Sequence, residues 1–316
     1  MASDFDFSQF AFSPPSFSAP PAERSEAPPP FESSSTAVEP SARLAACAVH
    51  DVKLSELSLI RSFRMVTHAS VDEFHSFLLS LSTSPHGKFW ALVACLLSVQ
   101  CRDAVALEAT RGLMHAAPRG PADVAALAHD ELLSRVRSCN YCVTKAKNVR
   151  AASEAVVRSG RVAVSHEALL ALPGVGAKIA HLMRSLAFAD DGAGIVVDTH
   201  VHRIAAKLGW VDEAAARAGP EATRRALQLW VPRGEWASFS LAVVGFGQVS
   251  REGTSWGSRF ISHVERNHKT LGVAHDDAVE LARSIVHRID SPLAECERPR
   301  KIARQAKISF SHVPLS

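Results

Sequence analysis

The sequence is short of several things, and each shortage narrows what the chain can be. Its 316 residues include one tyrosine, Tyr141, and six cysteines. Cys47, Cys95, Cys101, Cys139, Cys142 and Cys296 are scattered rather than grouped. With Cys95 and Cys101 flanking an apolar helical pattern, they fit reduced intracellular thiols better than a disulfide framework. Cys139 and Cys142 do form a C-x-x-C. Without a second pair or a preceding strand, that spacing gives weak support for zinc or redox chemistry. No run reaches the roughly 18–20 apolar residues of a membrane span, so no membrane is expected as a partner. Charge of one sign is not in surplus: 35 Lys+Arg against 32 Asp+Glu give a formal net charge of +3. Any nucleic-acid face must therefore come from local placement. Strand signals are almost missing too. Ile195-Val196-Val197 is the one strand-like run, too short and isolated to build a sheet.

What is present reads as an all-α protein of two helical domains. Hydrophobic content of 47% with 21% charge is ordinary for a globular chain, and the length suggests two domains. Residues 1–43 are Pro/Ser-rich and expected to be disordered, with Phe5, Phe7, Phe10 and Phe12 as features of that tail. Asp4 and Asp6, and no basic residue before Arg24, argue against a mitochondrial presequence. Phe89, Leu92, Val93, Leu96 and Leu97 stand at i, i+3, i+4, i+7 and i+8, the stripe of a core-facing helix. Further helical patterns fall at 104–115, 123–137, 145–158, 166–171, 178–189, 200–208 and 235–246, and another starts at Gly219-Pro220. Ala278, Ala282, Ile285 and Ile289 mark one more amphipathic helix. Beyond it, 291–316 is a basic tail holding RPRKIARQAK, read as solvated, as an import signal or as extra grip on phosphates.

The most informative stretch is ALPGVGAKIA, residues 171–180. A helix ending at Ala171, a Leu-Pro-Gly-Val-Gly link and a helix through Lys178 make a helix–hairpin–helix pattern. Glycine permits positive φ and close approach of another backbone. Main-chain N–H groups around Gly174, Val175 and Gly176 sit where the next helix leaves its first donors unpaired, which suits a phosphate oxygen. Such contacts position a nucleic acid without reading its sequence.

ALPGVGAKIAHL followed by GIVVDTHVHRIAAKLGW resembles the signature of the endonuclease III family of DNA glycosylases, its eukaryotic branch above all. FWALVACLLSVQCRD (89–103) is similar to the family's first barrel helix and glutamine loop, and NYCVTKAKNVRAAS (140–153) to its base-stack wedge segment. LQLWVPRGEWASFSLAVVGFGQ (227–248) resembles the helix before the family's iron–sulfur loop. The resemblance spans roughly residues 85–250. It implies a helical barrel module at 86–195, a second module from 44–85 plus 196–290, and an active-site cleft between them.

The activity implied is bifunctional: removal of oxidised pyrimidines from duplex DNA through a lysine Schiff base, then β-elimination at the abasic site. Removal of 8-oxoguanine-type purines is the enzymatic alternative, and a catalytically silent DNA-binding scaffold the other. The resemblance assigns the nucleophile to Lys178, placed in the first turn of its helix and facing the positive end of the helix dipole. Asp198 is a favoured N-cap in its own right, and the resemblance adds stabilisation of the developing sugar cation. Gln100 would fill the hole left by an everted nucleotide, at a cost of a few kcal/mol for eversion, and Tyr141 would wedge the opposite strand. Lys145 and Lys147 are expected to face phosphates, and His200 and Arg203 to be phosphate or packing residues. After VGFGQ the family pattern breaks. Four cysteines spaced C-x6-C-x2-C-x5-C should hold a 4Fe–4S cluster, but the chain continues VSREGTSWGSRFISHVERNHKTLG and keeps only Cys296 downstream. No cluster and no metal are therefore expected. Trp256, Phe260, Ile261 and the 275–289 helix would replace its packing, with Arg251 and Arg259 supplying charge. A nuclear monomer working on damaged double-stranded DNA completes the expectation.

Overall fold

The first long apolar stretch sets the architecture. In a computed structural model, which describes residues 40–190, 192–269 and 274–291 (side chains from His50), it becomes helix α3, Gly87–Ser98. Every residue from Phe89 to Leu97 is buried. The expected one-sided stripe is thus apolar all round, as befits a helix wrapped by others. Helices α2 (Ser70–Ser80), α4 (Asp103–Ala116) and α7 (Cys142–Ser159) pack on it or on its flanks. A contiguous core runs from Phe74 to Met183.

Among the described residues there are fifteen α-helices and no strand, so the all-α expectation holds. The described residues fall into two compact units. The first holds the start of α1 (Pro40–Arg64), as far as Leu54. The second holds the described residues from Ser55 on. Helix α1 begins at Pro40, inside the stretch assigned to the leader. The phenylalanine-rich segment and the basic tail lie outside the described residues.

Two expected helices are divided. The 123–137 pattern becomes α5 (Pro121–Ala126) and α6 (His129–Val136). Arg150 of α7 explains the break: its guanidinium donates to the Ala125 and Leu127 oxygens at 2.8 and 2.6 Å, ending α5 from outside. The 178–189 pattern becomes α9 (Ala177–Leu182) followed by a π-helical turn, Met183–Ala187. Between them stands α8 (His166–Leu170), capped by Ser165, whose Oγ accepts from the Ala168 N–H at 3.2 Å.

The later helices are α10 (Thr199–Lys207), α11 (Glu213–Ala218), α12 (Pro220–Gln228), α13 (Trp236–Val249), α14 (Trp256–Asn267) and α15 (His275–Asp290). Their interior is aromatic. Phe260 meets Phe63 at 5.1 Å and Phe246 at 5.5 Å between ring centroids, and Trp256 meets Phe246 at 5.6 Å. Edge-on pairs of this kind add about 0.5–1.5 kcal/mol each beyond area burial. Helix α15 docks on α14 with Ala278, Ala282, Ile285 and Ile289 buried, and Trp256 Nε1 donates to Asp290 Oδ1 at 3.1 Å. The residues expected to fill in behind α13 do pack there, except that Ile261 is only half-buried.

Candidate active site

The hairpin between α8 and α9 is fixed from below. Val175 is buried, its N–H donates to the Leu172 oxygen at 3.1 Å, and Gly174 takes φ +80°. A Cβ on Gly174 would collide with the Asn148 amide of α7, so the position needs glycine on two counts. Gly176 differs. Its φ is −99°, and a Cβ there would meet nothing. Positive φ is thus required at one of the two glycines, while the other borders open space. Gly174, Gly176, Ala177 and Lys178 are all exposed, and α9 leaves its first N–H groups without intrahelical partners.

Lys178 is the second residue of α9 and lines a pocket shared with Asp198. Among the described residues no ion pair within 4.0 Å engages either side chain. Asp198 precedes α10 and caps it: Oδ1 accepts from the His200 and Val201 N–H groups at 2.8 and 2.9 Å. The capping reading therefore holds. The run before it, Ile195–Val197, is buried without forming a strand. Its backbone is satisfied by side chains, with Val196 N–H donating to Ser240 Oγ at 3.0 Å and Ile195 N–H to Gln228 Oε1 at 3.3 Å. Those bonds anchor the extended segment on α12 and α13 and so position Asp198.

Other walls of the pocket come from α2, the end of α3, the start of α4, the π-helical turn and α13. Phe74, Leu182, Leu186 and Val244 supply apolar surface. Its remaining polar lining was not singled out in the sequence. Gln248 Oε1 accepts from the Val71 N–H at 3.0 Å, and Gln248 Nε2 donates to Asp103 Oδ2 at 3.2 Å. His75 stands beside them, its pKa lowered chiefly by burial and partly restored by Asp72. Asp103 and Gln248 end two of the family-like strings, which was the available signal. His75 belongs to no such string. Beneath the site, Cys95 is fully buried, and burial pushes its thiol up to about 12 against the opposing charge of Lys178.

Gln100 and Tyr141 are both exposed and both have left-handed backbones, at φ 49° and 57°. Asn140 Nδ2 donates to the Gln100 oxygen at 2.7 Å, so the two turns are neighbours. Non-glycine residues pay about 1–2 kcal/mol for this region, and such outliers cluster at working sites.

Two expectations change. Lys145 does not face phosphates: it is buried, and its Nζ donates to the Leu97 oxygen at 2.7 Å. A long side chain on the inner face of α7 meets the last turn of α3, where carbonyls lack intrahelical partners and the dipole favours a cation. Lys147, by contrast, is exposed. His200 is half-buried against α13, close enough that a Cβ on Gly247 would press on its ring, and desolvation lowers its pKa. Arg203 donates to the Gly247 oxygen at 2.9 Å and Ser250 Oγ at 3.0 Å. Both take the packing alternative.

The residues after α13 do not fit a thiolate-held cluster. Positions 249–291 contain no cysteine, and no group of three or more His, Cys, Asp or Glu among the described residues could hold a metal ion. No described helix is long and apolar enough to cross a membrane.

Comparison with known proteins agrees with this architecture. Residues 93–233 match the HhH-GPD superfamily of base excision DNA repair proteins. Endonuclease III of Bacillus subtilis is 30% identical over 203 residues, covering 63% of this chain and 84% of that protein. Endonuclease III homolog 2, chloroplastic, of Arabidopsis thaliana is 36% identical over 167 residues, 51% of this chain and 43% of its own length, so the chain spans under half of that plant relative. Among solved structures, a thermostable thymine-DNA glycosylase shares the fold with a TM-score of 0.50 at 15% identity, covering 62% of this chain and 85% of that one. The chain belongs to the endonuclease III family, within the HhH-GPD superfamily.

Proposed function

We propose that this chain is a base excision repair DNA glycosylase with abasic-site lyase activity, acting on oxidised pyrimidines in double-stranded DNA. The observation that carries the reading is the shared pocket: an exposed lysine at the start of α9 and a carboxylate at the start of α10 line one concave, largely apolar site. Amine and carboxylate are the pair that this chemistry uses.

In the first step the neutral Lys178 amine attacks C1′ of an everted nucleoside. The N-glycosidic bond breaks, the base leaves with a proton, and the sugar opens to an imine with Lys178. Positive charge grows on the sugar during base loss, and the Asp198 carboxylate stabilises it. A base then takes a C2′ proton and the 3′-phosphate departs, which is the β-elimination. Asp198 can serve in these proton transfers. Exposed N–H groups of the hairpin and Lys147 hold phosphates, while Gln100 and Tyr141 fill the gap left in the duplex. The active site lies between a barrel module and a second module that works without an iron–sulfur cluster, in a monomer acting in the nucleus.

Borohydride reduction of the imine on DNA containing an abasic site or thymine glycol tests the reading. The expected result is a covalent adduct with the wild-type chain, none with Lys178→Ala, and an undiminished adduct with Lys147→Ala at saturating DNA. Equal trapping by Lys178→Ala would move the nucleophile elsewhere. Absence of trapping by wild type, with DNA binding intact, would leave a scaffold.

A further inference from the structure

The hydrogen bond from Asn140 to Gln100 also brings two cysteines near each other. Cys101 follows Gln100 and Cys139 precedes Asn140, so that bond sets the two cysteines on adjoining turns against one apolar cluster, where each thiol feels the other's charge. The C-x-x-C spacing gives only weak support for redox chemistry between Cys139 and Cys142. The fold sets Cys139 beside the turn that carries Cys101. Cys139 is buried and tied down by its N–H bond to the Val136 oxygen at 2.9 Å, whereas Cys101 is half-buried and reachable. Both are free thiols.

We infer that Cys101 and Cys139 are a modification site, closed by hydroperoxide into a reversible disulfide that staples the Gln100 turn to the Tyr141 turn. The more accessible Cys101 reacts first. Its thiolate attacks one peroxide oxygen, the O–O bond breaks, and hydroxide leaves to become water, which leaves a sulfenic acid on Cys101. Cys139 sulfur then attacks Cys101 sulfur. An S–S bond forms, the S–O bond breaks, and the departing hydroxide leaves as water with the Cys139 proton. Two thiols and one hydroperoxide thus become a disulfide and two waters (for hydrogen peroxide), and a dithiol reverses the change.

The environment suits this order. Burial, then the negative charge of a Cys101 thiolate, pushes the Cys139 thiol up to about 11, so Cys139 stays protonated while Cys101 reacts. A sulfenic acid is neutral, so the second of those influences disappears once Cys101 is oxidised. Because the two turns already meet through the Asn140–Gln100 bond, a disulfide between them asks for less backbone movement than one between separated loops. The effect of the staple on activity rests on the proposed glycosylase reading, because these two turns are the ones that would part around an opened duplex.

The test uses the full chain, treated with hydrogen peroxide, alkylated, digested without reductant and mapped by mass spectrometry. The expected product is a peptide pair joined through Cys101 and Cys139, abolished by dithiothreitol and by Cys101→Ser, and kept in Cys142→Ser. In Cys139→Ala, dimedone should label Cys101, a readout that needs only a folded loop. A Cys139–Cys142 link in wild type, or Cys101 still fully alkylatable after peroxide, overturns the inference. A second arm measures borohydride trapping: oxidised wild type should lose it several-fold and recover it with dithiothreitol, while Cys101→Ser should not respond to peroxide. A mapped disulfide that leaves trapping unchanged overturns the stapling effect. Failure of the reduced protein to trap strikes the glycosylase reading and leaves the mapped bond standing.

Discussion

Lys145 of α7 donates its Nζ to the Leu97 oxygen at 2.7 Å, inside the protein, and so ties α7 to the end of α3. Hydrogen bonds from charged groups contribute about 1.5–3 kcal/mol. Lys145→Met should therefore lower the thermal midpoint by roughly 3–10 °C in a chain of this size. Exposed Lys147 should behave in the opposite way. Lys147→Ala leaves the midpoint in place and reduces the slope of log affinity against log salt by about 1, as loss of one phosphate contact requires. Calorimetry and a salt series of DNA binding separate the two. If Lys145→Met were neutral in stability yet flattened the salt slope, the buried placement would be wrong.

Asp198 holds a cap and a proposed charge at the same time, and substitution can divide them. Asparagine retains a side-chain oxygen for the His200 and Val201 N–H groups, so Asp198→Asn should stay within a few tenths of a kcal/mol of wild type. Base excision should fall about 10²-fold or more, because the negative charge is gone. Asp198→Ala loses both and should cost about 1 kcal/mol as well. Single-turnover excision and denaturant melts give the comparison. Near-normal excision by the asparagine variant would leave Asp198 as a cap alone.

Much of this site could be read from residue order, because its parts are local. Leu-Pro-Gly-Val-Gly dictates a turn, Asp before Thr-His-Val dictates a cap, and each needs only its neighbours. Lys145 could also have been placed correctly. It stands at i with Val149, Ala152 and Val156 at i+4, i+7 and i+11, all on the buried face of α7. A lysine's charge favours the surface, and here the periodicity is the stronger guide. The break at Leu127 was not legible, since the group that ends α5 is the side chain of Arg150 in another helix. The same holds for His75, and for the approach of Cys101 and Cys139, which depend on packing between distant segments.

The hairpin glycines should separate in the same way. Gly174→Ala should be destabilised by about 1 kcal/mol or more, from positive φ and the collision with Asn148. Trimming the neighbour in Gly174→Ala with Asn148→Ala should recover the steric part and not the backbone part. Gly176→Ala should melt like wild type, since open space surrounds its Cβ, and bind duplex DNA more weakly. Urea midpoints and DNA titrations decide this. An unstable Gly176→Ala would show that the position is structural after all.

Aromatic packing behind α13 makes its own prediction. Phe260 is fully buried among Phe63, Phe246 and Trp256, and Phe260→Ala should cost about 3–5 kcal/mol. Neighbouring Arg259 is exposed, and Arg259→Ala should leave stability unchanged. A chain ending before His275 loses the α15 face and the Trp256–Asp290 bond, and should be less stable than the full chain. Equal denaturant midpoints for the shortened and full chains would remove α15 from the support of this region.

Buried histidines give the stability a definite pH dependence. Desolvation lowers the pKa of His75, His181, His200 and His263 in the folded chain. In the unfolded chain these rings titrate near the ordinary value of about 6.5. Below that pH the unfolded state binds protons that the folded state refuses, so stability rises with pH through this window and is complete above it. Glu221 adds the same sign further down, because its hydrogen bonds with Arg224 hold its carboxyl at about 2. Stability from Glu221 is present above the ordinary carboxylate range and lost as pH falls toward that value. The urea midpoint should therefore drop steadily from pH 7.5 to 5.5 with the m-value unchanged. His263, which shares a 2.8 Å hydrogen bond with Ser62 Oγ, offers a single-site control. His263→Gln should start less stable at pH 7.5 and show a shallower decline. A midpoint that stays flat or rises on acidification would mean that the rings are charged in the folded protein.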